Sequence, residues 1–275
     1  MKPGLIAILA FFIVMNAVVA QHSLQPLWKT DSVLAIPESV LYDAQHNLLY
    51  VSLIDGQGNT KDGKGGVAKL SPEGKIIDTL WITGLNAPKG LGKHGNTLYA
   101  ADLDEVVEID IAKSKVIRKI PVPHAIFLND ITVDDKGIVY VSDTRTNKVF
   151  CIKNGVPEIY IDNITSPNGL LALNNKLYVL SAGSLVEFDA DKKPTVLFTG
   201  MEKSTDGLVA TTPGNFIASA WIGVIYSLQA GQQPQVLIDT RSIKKNTADI
   251  EYNAASRVLY VPTFNGKSVD GYRVN

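Results

Sequence analysis

A single cysteine, Cys151, and only four histidines in 275 residues narrow the field at once. One thiol forms no intrachain disulfide, so the stability of the fold must come from its core. Cys151 sits in the alternating stretch Lys148 to Ile152 and reads as a small buried apolar residue. An excess of one charge is also missing: 26 basic residues face 27 acidic ones, which gives no basic face to hold nucleic acid or an anionic membrane. Beyond the first twenty residues no stretch keeps a helical period, and no low-complexity linker divides the chain. There is no GxSxG elbow, and the histidines suggest no Ser-His-Asp arrangement. His46 and His94 fall in hairpin turns, His22 lies near the start, and only His124 stands close to a candidate functional segment. Gly58, Gly63 and Lys64 have P-loop spacing, but no Ser or Thr follows, and strands stand on both sides. They read as part of a flexible surface loop.

The longest apolar run comes first. Lys2 precedes Leu5 to Met15, and Asn16-Ala17-Val18-Val19-Ala20 ends in small residues, the order of a secretory signal peptide cut after Ala20. The alternative, a membrane anchor, needs a span of about 20 apolar residues. The reading is a leader over 1–20 and one mature domain over 21–275, periplasmic or secreted and off the membrane after cleavage.

What the chain does have is a repeat. In FLNDITVDDKGIVYVS, from Phe127, the dyad Asn129-Asp130 leads into a short alternating strand, then a Gly-containing turn, then a second strand. The pattern recurs from Pro37, Pro88, Pro167, Thr205 and Thr247. Its second positions are Glu38, Lys89, Asn129, Asn168, Asp206 and Ala248, separated by 51, 40, 39, 38 and 42 residues. Units near 40 residues with several short strands predict an all-β, six-bladed β-propeller. The last repeat ends after three strands, so Leu24 to Ile36 is predicted as an extended N-terminal strand that closes the last blade.

The first strand of every blade lines the channel of a propeller, so the six second positions converge at one level. Glu38, Asn129, Asn168 and Asp206 then offer two carboxylates and two amide oxygens. Hard oxygen donors suit Ca2+ first, with Mg2+ or Mn2+ next. Asp130 and Asp249, one residue further on, read as additional ligands, as second-layer acceptors or as structural groups. The segments 55–66, 102–105, 143–147, 221–223 and 264–267 are predicted to rim the same mouth.

These motifs resemble the superfamily of senescence marker protein, gluconolactonase and luciferin-regenerating enzyme, with diisopropylfluorophosphatase and the paraoxonases as distant relatives. The resemblance rests on Glu38, on Asn129-Asp130 with the hairpin after it, on Ser166-Pro167-Asn168-Gly169-Leu170 and on Asp206-Gly207-Leu208. It implies a divalent cation, commonly calcium, held by Glu38, Asn168 and Asp206, with Asn129 a ligand or a substrate contact. It also implies a hydrolase of lactones or related esters in which Asp206 is catalytic, as base or nucleophile. Sugar-lactonase members carry arginine two residues before the matching asparagine; here Phe127 stands there, which favours a less polar small-molecule substrate. Lys89, Phe127, Asp130, Arg145, Trp221 and Asp249 are the candidate substrate-binding residues. The competing expectation is a non-enzymatic propeller that binds a ligand or protein partner around a structural calcium.

Overall fold

Two positive-φ residues in a row make the tight turns that the strand pattern asks for. Asn154 and Gly155 (φ 52° and 76°), and Asn174 and Asn175 (φ 55° and 57°), supply the left-handed pair that a two-residue hairpin needs. The computed structural model describes residues 23–275, and the leader expected over 1–20 lies outside them.

Six four-stranded antiparallel sheets follow one another around a channel. Blade one is β2 (Pro37–Asp43), β3 (Leu48–Leu53), β4 (Gly65–Leu70) and β5 (Ile76–Leu85). Blade two is β6 (Pro88–His94), β7 (Thr97–Asp102), β8 (Glu105–Asp110) and β9 (Lys115–Pro121). Blade three is β10 (Leu128–Val133), β11 (Val139–Asp143), β12 (Lys148–Lys153) and β13 (Val156–Asp162). Blade four is β14 (Pro167–Leu173), β15 (Lys176–Ser181), β16 (Ser184–Phe188) and β17 (Pro194–Phe198). Blade five is β18 (Thr205–Thr212), β19 (Asn215–Ala220), β20 (Val224–Leu228) and β21 (Gln235–Asp239). Blade six joins β22 (Glu251–Asn253), β23 (Val258–Pro262) and β24 (Val269–Val274) to β1 (Leu24–Lys29) at its outer edge. This is the predicted propeller with its N-terminal closure.

The core lies between blades instead of within one. Val51 and Leu70 of blade one pack with Tyr260 and Val269 of blade six, and each further pair of neighbouring blades encloses a similar apolar cluster. No blade buries its faces alone, so the ring stands or falls as a unit.

Two strand boundaries differ from expectation. The strand predicted from Leu24 to Ile36 stops at Lys29, because the chain must leave the outer edge of blade six and cross to the channel. Leu34, fully buried, anchors that crossing, and Ile36 turns it at φ 56°. The inner strand predicted from Asp249 pairs regularly only over Glu251–Asn253. Asp249 itself sits in a single parallel bridge to Ser39, which joins the last blade to the first.

Candidate active site at the mouth of the channel

A repeated irregularity delivers the site residues. β2, β6, β10, β14 and β18 each shift register against their partner at the same place: between Pro37 and Val40, Pro88 and Leu91, Leu128 and Ile131, Pro167 and Leu170, and Thr205 and Leu208. A bulge breaks the in-out alternation of a strand and re-aims the residue it carries. Here those residues are Glu38, Lys89, Asn129, Asn168 and Asp206. The N–H groups that the bulges free in blades one, three and five go to buried serine hydroxyls of the second strands. Ser39 N–H donates to Ser52 Oγ at 2.9 Å, Asp130 N–H to Ser142 Oγ at 3.0 Å and Gly207 N–H to Ser219 Oγ at 2.8 Å.

Buried aspartates hold the connections that lead into two of these strands. Asp102 accepts the N–H groups of Asn86 and Ala87 at 2.9 and 2.7 Å, and Asp143 those of Ile126 and Phe127 at 2.6 and 3.2 Å. Both were predicted only as rim positions.

Glu38, Lys89, Phe127, Asn129, Asn168, Asp206 and Trp221 line one pocket of about 310 Å3 at the mouth. Sequence reasoning missed Ile54 and Ser204, which also face it. Of the predicted rim, Gly58, Trp221 and Phe264 reach the pocket. Two contacts hold the 55–66 loop against blade two: Lys89 Nζ donates to Gly58 O at 3.0 Å, and Lys61 pairs with Asp104 at 2.7 Å.

The amides are oriented. Asn168 Nδ2 donates to Asp206 Oδ1 at 2.9 Å, and Asn129 Nδ2 to Thr144 Oγ1 at 3.0 Å, while the Thr144 hydroxyl donates to Pro167 O at 2.8 Å. Each amide thus spends its nitrogen on the protein. Among the described residues, Glu38 Oε2, Asn168 Oδ1 and Ser204 Oγ are buried without a hydrogen-bond partner. Orphaned acceptors are costly in a folded core and point to something they bind.

Burial pushes the Glu38 carboxyl well above its ordinary range, Asp206 and Asp249 add to the rise, and Lys89 opposes it. Asp206 is raised by burial and by Asp249 against the hydrogen bond from Asn168. Burial lowers the Lys89 ammonium, with Glu38 and Asp102 opposing and Arg145 reinforcing.

The structure does not bring Asp130 and Asp249 to this pocket. They lie one step along the channel and line a separate cavity of about 500 Å3 with Tyr42, Lys93 and Glu251. Asp130 accepts the N–H groups of Leu170 at 2.6 Å and Ile131 at 2.7 Å, and Asp249 accepts the Ser39 hydroxyl at 2.5 Å. Their oxygens brace neighbouring inner strands. Burial, opposed by the bonds to Ser39 and Asp130, lifts Asp249 to about 7. His124 is exposed and outside the pocket, and His46 pairs with Asp43 at 2.7 Å.

Glu251, in the same cavity as Asp249, is also raised to about 7, by burial first and against N–H bonds from Tyr252 and Tyr42. A carboxyl raised from an ordinary 4.5 binds its proton more tightly folded than unfolded, so it removes stability as pH climbs from about 4.5 to 7. Glu251→Gln is expected to flatten that loss, worth up to ~3 kcal/mol from the linkage relation. Denaturant melts of both proteins at pH 5 and pH 8 check it: the difference between them should grow with pH.

No protein-family model matches the sequence, and no curated protein matches it. Solved structures share the fold. A candidate gluconolactonase superposes with a TM-score of 0.67 at 16% identity, over 94% of this chain and 93% of that one. A catalytically inactive virginiamycin B lyase from Staphylococcus aureus, solved with quinupristin, gives 0.64 at 12% identity over 92% and 99%. A chain of the nidogen/laminin complex gives 0.59 at 18% over 71% and 77%. These likenesses establish a six-bladed propeller of a kind that serves unrelated functions.

Proposed function

We propose that the protein is a metal-dependent hydrolase of a lactone or related ester, with a divalent cation, calcium first, held by Glu38, Asn129, Asn168 and Asp206. The observation that carries this reading is the pair of orphaned oxygens, Glu38 Oε2 and Asn168 Oδ1, in one pocket beside the buried Asp206. Two carboxylates balance a divalent charge, and the committed amide nitrogens leave hard oxygens for the ion. Among the described residues no three His, Cys, Asp or Glu side chains are grouped to hold a metal, so the two amides are essential to the set. A bound divalent cation would polarise the acyl carbonyl and favour the ionised forms of both carboxylates.

The chain's own part is positional. Asn168 holds Asp206 Oδ1, which leaves Oδ2 to take a proton from water. The water oxygen then bonds to the acyl carbon, the acyl bond to the ring or leaving oxygen breaks, and that oxygen receives the proton that Asp206 took from the water. Trp221 and Phe264, edge to face with centroids 5.3 Å apart, form an apolar wall that shields the reacting ester. The pocket keeps about 310 Å3 with Gly58 of the 55–66 loop in its lining, room enough for a small-molecule substrate. The leader over 1–20 supports export, and a mature N-terminus at Gln21 in the recovered protein would test it.

A thermal melt of metal-stripped protein tests the site. Calcium is expected to raise the melting temperature by mass action, and Glu38→Gln and Asp206→Asn to lose the response. No rise in the stripped wild type with calcium, magnesium or manganese would remove the metal site.

A further inference from the structure

The mouth holds two positive charges that lactone hydrolysis does not require. Lys89, 3% exposed, places its Nζ 4.3 Å from the ring centroid of Phe127, and the Arg145 guanidinium carbon lies 4.3 Å from the same centroid. Among the described residues neither cation has a carboxylate at ion-pair distance; the partners of Lys89 Nζ are Gly58 O at 3.0 Å and Ala87 O at 3.1 Å. Those bonds use two of its three donors and leave one for the pocket. Arg145, predicted as a substrate-binding residue, is exposed and does not itself line the pocket; it stands at the rim against Phe127, which does, and among the described residues its guanidinium donates no hydrogen bond.

Charge decides what such a pair is for. A divalent cation on Glu38 and Asp206 would neutralise the floor, and of the two cations against Phe127 only Lys89 would keep a nearby carboxylate, Asp102, while Arg145 at the rim has none at ion-pair distance among the described residues. Two like charges stacked on one ring repel each other, and an anion relieves both. Phe127 is the apolar ring that both cations share, each 4.3 Å from its centroid. The opposite wall, Trp221 and Phe264, is apolar, so the pocket is polarised from one side to the other.

We propose that the substrate is itself an anion: a small lactone or ester that carries a carboxylate away from the reacting carbonyl. That carboxylate sits against the guanidinium fork of Arg145 and the free N–H of Lys89, and the carbon skeleton lies against Trp221 and Phe264. The seat rests on the hydrolase reading of the same pocket.

A matched pair of compounds tests the seat and that reading separately. With calcium-loaded protein, kcat/KM for the 5-carboxylate of γ-butyrolactone is expected to exceed that for γ-butyrolactone by about tenfold or more, and Arg145→Gln to bring the ratio close to one. Arg145 is exposed, so this variant is expected to fold. Isothermal titration of 2-hydroxyglutarate and 4-hydroxybutanoate, the two ring-opened acids, reads binding without turnover. Tighter binding of the first by a similar factor, lost in Arg145→Gln and weakened by salt, supports the seat even where neither lactone is opened, a result that would overturn the hydrolase reading alone. Equal affinity for the two acids, or binding of neither, overturns the seat, and lactone turnover without a preference leaves the hydrolase standing.

Discussion

Asp206→Asn is expected to lose turnover by on the order of 10^3-fold or more while the metal-stripped protein melts at or above the wild-type temperature. The two halves have one cause. Asp206 is 3% exposed, and burial and the Asp249 charge both act against its ionised form. An amide of the same shape removes a buried charge that the empty fold does not need, and such removals are often neutral or stabilising. The hydrolytic reading needs that charge twice, to bind the ion and to take a proton. Rates on a lactone and ester panel, run beside melts with and without calcium, check the crossing. A variant that keeps wild-type activity would sink the assignment of Asp206, and one that unfolds would make the residue structural.

Gly169→Ala is expected to be the most damaging single-methyl change. A Cβ at Gly169 would stand 2.1 Å from the backbone oxygen of Asp206 and 2.8 Å from Leu180 Cδ1. The first contact is the main chain of the next inner strand, which cannot swing aside as a side chain would. Forcing the strands apart should cost about 3 kcal/mol, at the upper end for an overpacked core, and lower the melting temperature by roughly 6–12 °C. Displacing Asp206 should also abolish the calcium response of whatever folds. Gly63→Ala is the control: nothing lies within 4 Å of that Cβ, and φ is 70°, so only local strain of about 1 kcal/mol is expected. Chemical denaturation of both variants beside the wild type separates the two costs.

Glu38, Asn129, Asn168 and Asp206 were legible as a set because they recur at one place in the repeat, and a propeller brings equal places together. Trp221 and the 55–66 loop were legible as rim for the same reason, since the connections between second and third strands share a face with the starts of the first. Asp130 and Asp249 read as neighbours of the site because they are adjacent in sequence. In the structure they turn away from it, since the bulge that aims Asn129 into the mouth sends the next side chain toward the adjacent strand. Thr144 was legible only as part of the predicted rim segment 143–147, and Ser204 carried no signal: a lone hydroxyl in a loop matches no motif.

The sequence by itself determined the number of blades, the strand pairs, the closure by the N-terminal segment and the level at which polar side chains meet. All of these follow from local alternation and from a period, which a chain carries in its order of residues. Only the tertiary structure decided which oxygens stay unpartnered, which acids face which cavity, and that Lys89 and Arg145 share the ring of Phe127. Those outcomes depend on bulges set by serines of partner strands and on contacts between blades some 40 residues apart. A register shift of one residue turns a side chain to the other face, and no pattern along a single strand records where its neighbour will impose one.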